Sequence, residues 1–135
     1  MSPHRHCHRG VFVNWTFWTA LGSFFAALGV GLGAFGAHAL KTRLPVEDLA
    51  IFEVGVRYQM YHALALLFVG FLASKVDSSL IKVAGWTFVF GIVVFSGSLY
   101  TLVFTGVRTW GAVTPVGGLA FIVAWLLVGV AVIKS

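Results

Sequence analysis

A chain of 135 residues that is 59% hydrophobic and only 10% charged is not an ordinary soluble domain, in which roughly 25% of residues carry charge. Its formal net charge of +5 comes from basic residues scattered through termini and connections, with no basic stripe among aromatics, which excludes a nucleic-acid surface. The single cysteine, Cys7, excludes an intrachain disulfide and a CxxC metal or redox site.

Residues 1–13 read as a basic, histidine-rich, disordered tail. His4, His6, Cys7 and His8 are all metal donors by type, but a short solvated tail holds no coordination geometry, and no metal site is expected. The first apolar span is expected over 14–37, with Trp15, Phe17 and Trp18 as anchors at the membrane surface. Ala37-His38-Ala39 resembles a cleavage site. The apolar run before it is longer than the roughly 7–15 residues of a signal peptide, so the span is read as retained. Gly22, Ala26, Gly29, Gly33 and Gly36 recur at intervals that place them on one helical face. Small residues aligned in this way let helix backbones approach, so this face is read as a packing surface.

Residues 41–45 break the chain. "VEDLAIFEVGVRYQ" then reads as an amphipathic lead-in helix: Leu49, Phe52 and Val56 share a face. Glu47 and Asp48 lie where the helix dipole favours acids. The second span is expected over 55–74 and opens with the polar stretch "RYQMYHALALL" (57–67). Glu53 and Arg57 stand at i and i+4 with the acid first, the favourable order for an ion pair, here placed at the membrane interface. Tyr58, Gln59 and His62 share another face. Arg57 points about 140° away from His62, which lies about 7 Å deeper.

The third span is expected over 81–105, with Ala84, Thr87, Gly91, Ser98, Thr101 and Thr105 on one broad face. The fourth runs over 113–133, where Thr114-Pro115 suits an N-cap followed by proline at the first helical position. No segment alternates as a membrane β-barrel strand does. The fold expected is therefore all-α: four transmembrane helices in a single bundle over 14–135, with short loops and an amphipathic lead-in to the second helix. Basic residues set a weak orientation. Arg5, Arg9, Lys75, Lys82 and Lys134 lie on one side, Lys41, Arg43 and Arg108 on the other, which favours termini on the cytoplasmic side.

Topology brings His38, Tyr58, Gln59, His62, Arg108 and Thr114 to one side of the membrane, with Ser98 and Tyr100 within reach. They are expected to gather around one polar mouth. The preferred reading is that these groups satisfy one another and set helix register. A second makes His62 a titrating group in a proton path. A third makes His38 and His62 axial haem ligands. No cofactor is expected. No nucleophile–base pair, metal set or nucleotide-binding fingerprint is present, so no enzymatic activity is expected either.

Four ordered motifs, "GAFGAHAL" (33–40), "YQMYHALALL" (58–67), "FSGSLY" (95–100) and "WGAVTPVGG" (110–118), resemble the YgdD/YwdK family of small four-helix inner-membrane proteins of unknown function, which has mitochondrial relatives. The resemblance spans roughly residues 20–133. It marks Gly33, Gly36, His38, Tyr58, Gln59, His62, Ser96, Ser98, Tyr100, Thr114, Pro115 and Gly117, and it implies a bacterial inner-membrane location. The function expected is that of an assembly or accessory component acting through helix contacts, as a homo-oligomer or within a larger membrane complex. The alternative is a small proton-linked or small-solute transporter or channel built around His62.

Overall fold

The computed structural model describes residues 9–135, with side chains from Trp15 onward; the readings made for His4, His6, Cys7 and His8 lie outside the described residues. Helix α1 (Arg9–Phe35) runs directly into a π-helical turn (Gly36–Leu40), and α2 spans Val46–Lys75. α3 (Ser79–Gly91) passes through a second π-helical turn (Ile92–Ser96) into α4 (Gly97–Thr105). A 3-10 turn (Arg108–Ala112) leads into α5 (Thr114–Lys134). Among the described residues four stretches are long and apolar enough to cross a membrane: Trp15–Leu40, Val46–Lys75, Ser79–Thr105 and Arg108–Lys134. Helices suit this setting because each satisfies its own backbone where no water is present to do so.

Two boundaries differ from those expected. The lead-in and the second span are one continuous helix of 30 residues, about 45 Å long against a hydrocarbon core of about 30 Å. Gly55 does not interrupt it, because the residue is buried against Tyr100. The first helix begins at Arg9 rather than near residue 14, and its π-helical turn carries it past residue 37 to Leu40.

α1 lies along α2 on the face that carries its small residues. At Gly22 the helix comes against the main chain of α2, where a Cβ would stand 2.8 Å from the Ala63 carbonyl oxygen. Gly29 faces the Met60 side chain, Gly36 faces the Phe52 ring, and Ala26 is half-buried on the same face. At Gly33 a Cβ would meet only Val56, at 3.4 Å. Trp18 reaches across to α3, where its ring covers Gly85.

The third span does not present one face along its length. A π-helical turn inserts an extra residue and rotates the helix beyond it by about 100°. α3 packs chiefly along α5 and also on α2, burying Ala84, Phe88 and Gly91, while α4 packs on α2 through Leu102 and Val103 beside Phe52. Thr87, Thr101 and Thr105 bond back to carbonyls of their own span rather than to a neighbour. α4 stops at Gly106, whose φ of 72° permits the left-handed cap and whose N–H reaches the Leu102 carbonyl.

Candidate functional site

Gln59 ties three helices together. Its Nε2 donates to the Phe25 carbonyl on α1 at 2.9 Å, and its Oε1 accepts the Tyr100 hydroxyl of α4 at 2.8 Å. One turn earlier, Ser96 donates to the Gly55 carbonyl at 2.7 Å. The π-helical turn makes this possible by bringing Ser96 round to α2. Gln59→Leu removes both of the hydrogen bonds that this side chain makes, to α1 and to α4. Interhelical hydrogen bonds in membranes contribute about 0.6 kcal/mol each, so the loss is about 1 kcal/mol, to be read as a lowered melting temperature in detergent.

His62 is buried near the middle of α2, and both of its ring nitrogens are engaged. Nδ1 lies 2.7 Å from the Tyr58 carbonyl oxygen, and the Trp125 indole N–H donates to Nε2 at 3.3 Å. A carbonyl can only accept and an indole can only donate, so Nδ1 carries the proton and Nε2 does not. The geometry holds a neutral imidazole of one tautomer. Its ring stacks on Phe121 with centroids 3.5 Å apart and planes 5° from parallel. Tyr58 packs on Phe95 at 4.6 Å, and Phe88 meets Trp125 edge-on at 4.9 Å. The result is an aromatic cluster joining α2, the π-helical turn, α3 and α5.

The other polar residues form separate links. Ser98 donates to the Phe95 carbonyl at 2.8 Å, and its hydroxyl shares a hydrogen bond of 2.6 Å with the hydroxyl of Thr114. Thr114 thus joins α5 to α4 instead of capping its own helix, whose first turn has no side-chain cap. Arg108 pairs with Asp48 at 2.8 Å, an exposed guanidinium on a mostly buried carboxylate. That pair fastens the third loop to the start of α2. Glu53 and Arg57 are both exposed on α2, and the ion pair on this side is the Asp48–Arg108 one instead. His38 is exposed on the first π-helical turn.

The eight residues expected at one mouth are therefore distributed among four places. Gln59 and Tyr100 face α1 and α4; Tyr58 and His62 face α5; Ser98 and Thr114 form a pair; His38 and Arg108 lie at the surface. With His38 outside and no nitrogen of His62 free, the two do not offer facing imidazoles to a haem. Trp125, Phe121 and Asp48 were not among the site residues expected from sequence. Trp125 carried a signal, because tryptophan favours the membrane surfaces and an indole N–H deep in a span requires an acceptor.

Beside this cluster, between α2 and α5, lies a cavity of about 550 Å³. Tyr58, His62, Phe95, Gly118, Phe121 and Trp125 contribute to its lining, which is mainly apolar.

The family model described as "Protein of unknown function (DUF423)" matches residues 32–118. The UPF0382 membrane protein YwdK of Bacillus subtilis is 50% identical over 115 residues, covering 84% of this chain and 94% of the relative. A UPF0382 membrane protein of Staphylococcus epidermidis is 49% identical over 114 residues, covering 84% and 93%. Another, from Staphylococcus saprophyticus, is 46% identical over 114 residues, covering 84% and 94%. No solved structure matches the chain.

Proposed function

The chain belongs to the DUF423 family, and from that premise we propose that it is a non-enzymatic component of a membrane assembly, acting through its helix surfaces. The family is the one to which the four motifs pointed. The observation that carries the proposal is how the polar interior is used. Gln59, His62, Ser96, Ser98 and Tyr100 all bond to protein partners, and among the described residues no buried side-chain nitrogen or oxygen lacks one. Such an interior sets helix register and offers a substrate or a permeating ion few free groups.

The working surface in this reading is the outer face of α1. Ala20, Ala27, Gly31 and Ala34 are exposed there and recur on one line opposite the face that packs on α2. A second copy, or another membrane helix, can approach such a line closely. In this reading the protein sits in a bacterial inner membrane with its termini on the cytoplasmic side, which its distribution of basic residues favours.

Cross-linking in intact membranes tests this, with Gly31→Leu as the variant, since a Cβ there meets nothing of the neighbouring helices within 4 Å. Wild type is expected to form a cross-linked complex of defined size. Gly31→Leu is expected to lose it while melting at the same temperature in detergent. An unchanged complex would remove α1 from the interface. A pH-driven flux into vesicles carrying wild type, lost on His62→Ala, would replace the whole reading with transport.

A further inference from the structure

The cavity between α2 and α5 has a definite placement relative to the membrane. One end lies at Pro115, in the first turn of α5 and therefore at the membrane surface beside the third loop. The other lies at His62 and Trp125, near the middle of their helices. Ten residues of α5 separate Pro115 from Trp125, about 15 Å of helix, or half of a hydrocarbon core of about 30 Å. The cavity is thus one leaflet long.

Its walls agree with that length. Phe95 lies behind it, and Gly118 contributes no side chain to fill it. Leu119, Ile122 and Trp125 stand along its rim and are exposed, so it opens sideways into lipid rather than toward water. The stacked pair of His62 and Phe121 stands at the deep end, where both imidazole nitrogens are already bonded. Tyr58 supplies the one polar group of the lining with no hydrogen bond among the described residues, and it lies about 6 Å nearer the surface than His62. A volume of about 550 Å³ is within the range of small-molecule sites, roughly 300–1,000 Å³.

We infer that this cavity is a binding site for one acyl chain of a membrane lipid. The chain enters from the side, with its terminal methyl against His62 and Phe121 at mid-membrane and its ester end toward Tyr58 and Pro115. The direction follows from the shape, because in each leaflet acyl chains end at the bilayer centre and begin at the surface. A second copy of this protein fits less well. A docking helix crosses both leaflets, and the rim carries bulky Leu119, Ile122 and Trp125 where close helix contact requires small residues. The lipid site stands independently of the α1 surface proposed for assembly, which lies on another helix.

The test is native mass spectrometry after reconstitution in vesicles of dioleoyl phosphatidylcholine and dioleoyl phosphatidylglycerol at 3:1, about the ratio of a mildly anionic membrane surface. The expected result is one retained lipid on wild type, and at least tenfold lower occupancy on Gly118→Leu, whose side chain fills the cavity. A Cβ at Gly118 makes only ordinary contacts, 3.8 Å from Phe95. Gly129→Leu is the matched control on the same helix, at a position with nothing within 4 Å, and is expected to keep the lipid. Leu119→Trp covers the opening from an exposed rim position and provides a second variant should Gly118→Leu fail to fold. Equal occupancy in all four proteins would identify the lipid as nonspecific boundary lipid and overturn the site. A dimer that Gly118→Leu abolishes, with no lipid adduct on wild type, would overturn it in favour of a second copy.

Discussion

Gly117→Ala lowers the stability of the protein by about 3 kcal/mol, the upper part of the range for overpacking a tight contact. At this position the backbone of α5 lies directly on the backbone of Phe95 in the second π-helical turn, so an added methyl meets main-chain atoms. A main chain cannot rotate aside as a long side chain can. α5 must move away instead, which also disturbs the contact of Phe121 with Gly91 and the bond between Thr114 and Ser98. Gly97→Ala, two residues beyond Phe95, is the counterpart. Its Cβ meets nothing within 4 Å, and the substitution removes glycine from a helix interior. It is expected to leave stability unchanged or raise it by about 0.5–1 kcal/mol. Denaturation by graded SDS measures both. Equal and small effects would show that α5 does not depend on this close approach.

His62→Leu costs about 2 kcal/mol, because it leaves the Trp125 N–H without an acceptor and removes a ring stacked on Phe121. The loss is specific to the pair. Once His62 is leucine, Trp125→Phe is expected to cost much less than it does in wild type, with a coupling of about 1 kcal/mol in the double-mutant cycle. Additive effects would mean that the contact across α2 and α5 contributes nothing beyond its two members. Nitrogen-15 spectra of labelled protein in lipid give an independent reading. The expected signal is a neutral His62 imidazole protonated at Nδ1, as the Tyr58 carbonyl and the Trp125 indole require. A proton on Nε2 would remove the indole hydrogen bond from the account.

These two positions differ in how far they could be read from sequence. Gly117 belongs to a recognisable motif, yet nothing in "WGAVTPVGG" tells which glycine receives a backbone and which lines a cavity; Gly117 does the first and Gly118 the second. His62 was legible as an inward-facing residue, because a polar ring deep in an apolar helix must find a partner. Its partner was not legible. Trp125 is 63 residues away, as Tyr100 is 41 from Gln59 and Arg108 is 60 from Asp48. The expected Glu53–Arg57 pair shows the same limit. Local spacing allowed it, while tertiary contact placed the ion pair on Asp48 and Arg108.

By itself the sequence determined that the chain has four helices long and apolar enough to cross a membrane, and which family it belongs to. Each of those is a local property: apolar length must match the hydrocarbon core, and a spanning backbone must satisfy itself. Only the tertiary structure decided how the polar residues are divided. The π-helical turn at Ile92–Ser96 inserts one residue into the third span, so that α3 packs chiefly along α5 and also on α2, whereas α4 packs on α2. A uniform helical count over the third span cannot register that rotation, and it sends Ser96 to Gly55 and Ser98 to Thr114. The single polar mouth that shared depth suggested is thereby split, because depth follows from position along one helix whereas facing depends on how that helix turns against its neighbours.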